Sequence, residues 1–247
     1  MEPMSRPAQS APYRWITWLG AHELGVLLAF CGIAAGIWIF AWIADTVREG
    51  EAQTFDRTIL LALRHSADLS PLGSAEIQDA VRDISALGGP VVLTLLTLIS
   101  AGFLWLDGKR HLALLTCGSV WGGLLISTLL KVFFQRARPD LVPFGSYVST
   151  TSFPSGHSMM SAVVYLTLGA LLARSQPGRR LKAYFLLLAA FLTLIVGCSR
   201  VYLGVHWPTD VLAGWTAGAS WATLCWLVAR KLQARHQVER EGEHGNE

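Results

Sequence analysis

Three short stretches hold residues whose types suit chemistry on an anion. "KVFFQRARPD" runs from Lys131 to Asp140, "SFPSGHS" from Ser152 to Ser158, and "SRVYLGVHWPTD" from Ser199 to Asp210. Lys131, Arg138 and Arg200 suit a group with several negative oxygens. Phosphate is the natural candidate, because guanidinium forks match its oxygens and an ammonium adds a point charge. Ser155 and Gly156 stand where a helix is expected to begin. Free backbone N–H groups and the helix dipole favour an anion there, and glycine lets the backbone come close. As a plain helix cap, Ser155 would look the same, and the sequence does not separate the two roles.

His206 and Asp210 are spaced one helical turn apart, with Pro208 placed to open a helix, where no backbone N–H is needed. A carboxylate on one imidazole nitrogen leaves the other free to attack as a nucleophile. The plainer alternative is that Asp210 only stabilises a helix N-terminus. His157 then fits the general acid that protonates a leaving alkoxide, and afterwards the base that activates water. No Asp, Glu, Cys and His cluster with metal-ligand spacing is present, so neither metal nor other cofactor is expected.

The elements that position these residues follow from hydropathy. The chain is 52% hydrophobic and 15% charged, with a mean hydropathy of +0.42, too apolar for an ordinary soluble domain. Apolar runs at Leu24–Ala44, from Gly89 or Pro90 to Leu106, and at Leu112–Phe134, Met159–Ala173, Leu181–Gly197 and Val211–Ala229 read as spans. None shows strand alternation, so helices are expected. The fold class is all-α: a polytopic membrane helical bundle with about six transmembrane helices and short amphipathic interfacial helices. Even numbers of spans between the three motifs bring them to one face. A Lys or Arg at the bilayer centre costs about 2.5–3.5 kcal/mol. Snorkelling explains one such cation, but poorly explains three beside two histidines and an aspartate.

Both tails fall on the side holding Lys109, Arg110, Arg174, Arg179, Arg180 and Lys182, which is expected to be cytoplasmic. Arg48, Arg57, Arg64 and Arg82 lie on the other side and blur the bias. The outer loop Asp45–Gly88 shows helical spacing at Phe55, Ile59, Leu60 and Leu63, and again at Ile77, Ala80, Val81 and Ile84. These helices either pack over the bundle or form a side gate for a lipid. Residues 1–22 read as a cytoplasmic or interfacial segment, 23–232 as the membrane domain, and 233–247 as a polar tail without fixed structure. "YRWITWLGAHE" is expected to be an inner-face anchor. "GIAAG" and "GWTAG" have the spacing of close helix contacts. Cys31, Cys117, Cys198 and Cys225 each sit in an apolar run and are expected to be single buried thiols.

Read together, Lys131 to Pro139 gives KxxxxxxRP, Pro154 to His157 gives PSGH, and Ser199 to Asp210 gives SRxxxxxHxxxD. This resembles the three-part signature of the integral membrane type 2 phosphatidic acid phosphatase (PAP2) family, related to vanadium haloperoxidases. The resemblance spans Leu24 to Ala229. It implies phosphate binding by Lys131, Arg138, Arg200, Ser155 and Gly156. It also implies His206 as the nucleophile that forms a phosphohistidine, His157 as general acid and Asp210 as partner of His206. Arg136 is extra, either a cation behind the site or an interfacial anchor. The expected function is a metal-independent lipid phosphatase acting on a phosphomonoester or diphosphate. Phosphatidic acid, phosphatidylglycerol phosphate and polyprenyl diphosphate are the substrate classes. A lipid or anion transporter, or a vanadate-dependent haloperoxidase, would use a similar basic pocket. The partners are a lipid phosphate and the bilayer, without nucleic acid, and the oligomeric state is left open. The expected place is a bacterial inner membrane, with the site on the periplasmic face. The loop "DLVPFGSYVSTTS" carries no readable signal for the head group.

Overall fold

The architecture comes from a computed structural model, which describes residues 11–141 and 151–244. Most of the stretch from Asp140 to Ser152 therefore lies outside the described residues. The described residues form eight helices, and the only β-type pairing among them is an isolated bridge between Arg64 and Pro71. In chain order they are α1 (Ala11–Arg48), α2 (Gln53–Ala62), α3 (Ala75–Ala86), α4 (Pro90–Leu106), α5 (Arg110–Phe134), α6 (Gly156–Ser175), α7 (Arg179–Tyr202) and α8 (Pro208–His244).

Five of these helices are long and apolar enough to cross a bilayer, and the bent pair α3–α4 raises the number to six. α4 alone has 17 residues, roughly 25 Å of helix against a hydrocarbon core of roughly 30 Å. It meets α3 at 45°. The break falls at Gly88 and Gly89, followed by Pro90 in the first turn of α4. The chain is a multi-pass membrane protein.

α6 is the central helix, packed mainly against α7 and α8 and also against α5 and α4. Its small residues make this possible. A methyl on Gly169 would press on Ala189 of α7. One on Gly214 would lie 2.8 Å from the Ser155 carbonyl, and one on Gly218 would lie 2.5 Å from that of Met159. "GWTAG" is thus a contact within the bundle. Of "GIAAG", Gly36 meets Ser220 of α8, whereas Gly32 faces open space.

Three apolar clusters fix the ends of the helices. Leu93, Val164, Tyr165, Ala189 and Val196 join α4, α6 and α7. Ile43, Ala44, Phe153 and Ala213 join α1 and α8 to the segment before α6. The Phe153 ring lies 4.8 Å from Phe134 and 5.9 Å from Phe40. Leu60, Val201 and Val211 tie α2 to α7 and α8.

α1 runs through the stretch near Tyr13 without a break from Ala11. Other expectations change. The polar stretch from Arg235 continues α8 to His244, where Glu, Gln, Arg and Ala favour helix on their own. The outer helices exist, and the expected Ile59, Leu60 and Leu63 pack together toward α7 and α8, while other expected positions stay exposed. In α2 the buried residues are Asp56 and Leu60, while Phe55 is 48% exposed. In α3 only Ser85 is buried, and Ile77 is 51% exposed. The thiols are free, but Cys31 and Cys198 lie exposed on the outer surface of the bundle rather than buried in it.

Candidate active site

α5 ends where the chain must release its arginines. Gln135 adopts a left-handed conformation (φ 46°) and its N–H closes on the Lys131 carbonyl. For a residue with a Cβ this conformation costs about 1–2 kcal/mol. Beyond it, the proline after Arg138 disfavours further helix. Lys131 therefore stays in the last helical turn while Arg136 and Arg138 leave the axis. Lys131 Nζ donates to the Thr151 carbonyl at 2.8 Å. Its stem lies along the start of α6, where a Cβ on Gly156 would sit 3.4 Å from Lys131 Cε.

Ser155 is the N-cap of α6 and is fully buried. Its Oγ accepts the Ser158 N–H at 3.4 Å and the Ser158 hydroxyl at 2.9 Å. Its own N–H donates to the Asp210 carbonyl at 2.9 Å, which stitches α6 to α8. Ser155 is thus a helix cap, with its hydroxyl proton left over for a further partner. His157 follows in the first turn of α6, with its carbonyl and Cβ against Gly88 at the α3–α4 break.

α7 extends to Tyr202, so Arg200 lies in its last turn rather than in a loop. Arg200 Nη1 donates to Ser85 Oγ of α3 at 2.5 Å, and its buried Nε has no hydrogen-bond partner among the described residues. Gly204, at φ 71°, closes the end of α7 and returns the chain toward α8. Arg64 is also buried, and its Nη2 donates to the Tyr202 carbonyl at 2.6 Å. An outer-side cation that seemed to oppose the topology is therefore a cap on α7.

His206 is 2% exposed. Its Nδ1 faces Asp210 Oδ2 at 3.4 Å and its Nε2 faces Arg138 Nη1 at 3.3 Å. The same Arg138 Nη1 donates to the Val205 carbonyl at 2.7 Å. Asp210 Oδ2 also accepts the Trp207 N–H at 2.9 Å. Asp210 thus both caps the start of α8 and faces the imidazole. Burial lowers the His206 pKa to about 4, opposed by the bond and charge of Asp210, so the ring is neutral at pH 7. Burial also lowers that of Arg138, with the Asp210 charge opposing.

His157 and Arg200 line a cavity of about 670 Å³ together with Ser85, Gln78, Arg82 and Tyr202. This is the outer approach to the site, walled by α3. A larger apolar cavity of about 1150 Å³ lies between α4, α5 and α6, rimmed by Lys109, His111 and Arg174. It is at the opposite end of the bundle and holds none of the motif residues. Sequence reasoning missed Ser85 and Asp56. Asp56 lies one helical turn before Leu60, and a carboxylate in register with a buried Leu was the available signal.

The sequence pattern of the PAP2 superfamily matches residues 112–234. Phosphatidylglycerophosphatase B of Bacillus subtilis is 36% identical over 148 residues, which cover 58% of this chain and 70% of that protein. This chain belongs to the PAP2 superfamily. A lipid A 1-phosphatase of Rhizobium johnstonii is 34% identical over half of each chain. The crystal structure of the transmembrane PAP2-type phosphatidylglycerolphosphate phosphatase from B. subtilis superposes with a TM-score of 0.72. That match is 29% identical and covers 81% of this chain and 96% of the other. At 20% identity and a TM-score of 0.53, the LpxE structure from Aquifex aeolicus shares the fold. The PAP2 match takes in all three motif segments, from Lys131 to Asp210.

Proposed function

We propose that this membrane phosphatase hydrolyses a phosphate ester or diphosphate on a lipid through a phosphohistidine at His206. The observation that carries the proposal is the buried, neutral imidazole held between Asp210 and Arg138. A phosphate beside Nε2 would meet Arg138, Lys131 and Arg200, whose Nε has no partner among the described residues. Nε2 attacks phosphorus, the N–P bond forms, and the P–O bond to the lipid breaks. His157 gives its proton to the leaving oxygen. Water then loses a proton to His157 and attacks phosphorus, the N–P bond breaks, and inorganic phosphate leaves. The cations stabilise the oxygens throughout, a contribution that is often the largest in such reactions.

The lipid classes that fit are phosphatidic acid, phosphatidylglycerol phosphate and polyprenyl diphosphate. Relatives named phosphatidylglycerophosphatase and undecaprenyl-diphosphatase support that range. The membrane domain is taken as residues 23–232, in a bacterial inner membrane with the site on the periplasmic face. The lipid reaches the site sideways, without leaving the bilayer.

Two measurements test this reading. Purified protein is offered lipids carrying labelled phosphate and quenched within one turnover, with EDTA present throughout. Label on His206 is expected, and none in His206→Ala. Phosphate release by wild-type protein with no label on His206 would overturn the mechanism. Lipid movement across vesicles without phosphate release would overturn the enzyme reading.

A further inference from the structure

Arg136 stands two residues before Arg138 yet points to a different place. Its guanidinium lies between two carboxylates that are both fully buried. Nη1 donates to Asp210 Oδ1 at 2.6 Å and to Thr209 Oγ1 at 2.8 Å. Nη2 donates to Asp56 Oδ2 at 2.7 Å. Asp56 also accepts the Thr209 N–H at 2.9 Å and the Thr209 hydroxyl at 2.6 Å. The chain of contacts runs from α2, through the segment after α5, to the start of α8, and ends at the His206 ring.

We propose that Asp56 and Arg136 are positioning residues that aim Asp210 at His206 and set its charge during phosphoryl transfer. The geometry carries the first part. With Oδ1 held by Arg136, the Asp210 carboxylate cannot rotate, and Oδ2 is left for the Trp207 N–H and His206 Nδ1. Charge carries the second. Arg136 paired with Asp210 alone would neutralise it. Asp56 shares the guanidinium, so the cluster keeps one net negative charge beside a ring that gathers positive charge as Nε2 bonds to phosphorus. Nδ1 keeps its proton throughout. Holding α2 in place does not require these charges, since Leu60 already does so against Val201 and Val211. A buried ion pair is also a weak source of stability compared with apolar contact.

The inference rests on His206 as nucleophile. The other charged groups near the ring are Arg138 after α5, His157 on α6, Arg200 on α7 and Asp210 itself on α8. All four stay in place in the test, with Lys131 beyond them. Asp56→Asn, Arg136→Gln and the double variant are compared with the wild type by kcat, KM and the acid limb of kcat/KM. Asp56→Asn is expected to lower kcat roughly tenfold, leave KM within about twofold, and move the acid limb to lower pH. Arg136→Gln is expected to lower kcat and move the limb to higher pH, because a positive charge near His206 is gone. The double variant is expected to lose less than the product of the two, since its net charge returns to that of the wild type. If Asp56→Asn does not accumulate, Arg136→Lys serves: it keeps the charge without the fork, so kcat falls and the limb stays. Folded variants with the wild-type kcat and an unmoved limb would overturn the proposal. So would variants that only lower the yield of folded protein. The label on His206 in the wild type separates a failed relay from a failed nucleophile assignment.

Discussion

The His206 ring is neutral at pH 7 because burial removes water from it more strongly than Asp210 favours its cation. The proposed attack requires that neutral form. The acid limb of kcat/KM is therefore expected near pH 4, well below the ordinary histidine value of about 6.5. A limb found near 6.5 would mean that the ring is solvated in the working enzyme. Stability follows the same equilibrium. With its folded pKa depressed, His206 favours the folded state above about pH 6.5, and that contribution fades as pH falls toward 4, by about 1.4 kcal/mol per unit. Thermal melting in detergent at pH 7 and pH 5 reads this directly, with His206→Asn as the control that should flatten the difference. The residues proposed to hold phosphate were chosen from type and spacing, because Kx6RP, PSGH and SRx5Hx3D each place a group by local geometry. Asp56 and Ser85 were not. Their partners Arg136 and Arg200 lie 80 and 115 residues away in sequence, and no local pattern encodes that pairing.

At the scale of elements, the site depends on how closely α8 approaches α6. Gly214 and Gly218 allow it, and the bond from the Ser155 N–H to the Asp210 carbonyl records it. Gly214→Val is expected to destabilise the fold by about 1–3 kcal/mol and to lower kcat together with Tm. Gly32→Ala, with open space around it, is expected to change neither. Gly156→Ala tests a different contact. Its methyl would meet the Lys131 stem at 3.4 Å, an ordinary contact, so a KM within about threefold of the wild type is expected with Tm unchanged. Span positions were readable from hydropathy because a membrane helix must be apolar over its length. The buried polar contacts of α2 and α3 were not, because the partners of Asp56 and Ser85 are polar groups on α7, α8 and the segment after α5, far away in sequence.

At the scale of the whole molecule, the motif-bearing ends of α5, α6, α7 and α8 gather on one face, and α2 and α3 close over it. The topology is open to a labelling test. Ser70→Cys is expected to react with an impermeant thiol reagent from the periplasmic side, and Gln176→Cys only from the cytoplasmic side. α4 adds a mechanical consequence. It is the shortest span, and it meets α3 at the Gly88–Gly89 break. α3 in turn holds Arg200 through Ser85, and the Leu87 carbonyl after it holds the Tyr165 hydroxyl of α6. A span that is too short for its bilayer must thin the lipid or tilt its neighbours. Here α3 links that span to Arg200, the arginine proposed to hold the phosphate. Hydrophobic thickness is thereby expected to tune turnover: in vesicles of short-chain lipids kcat should rise, in long-chain ones it should fall, and Ser85→Ala should uncouple the two.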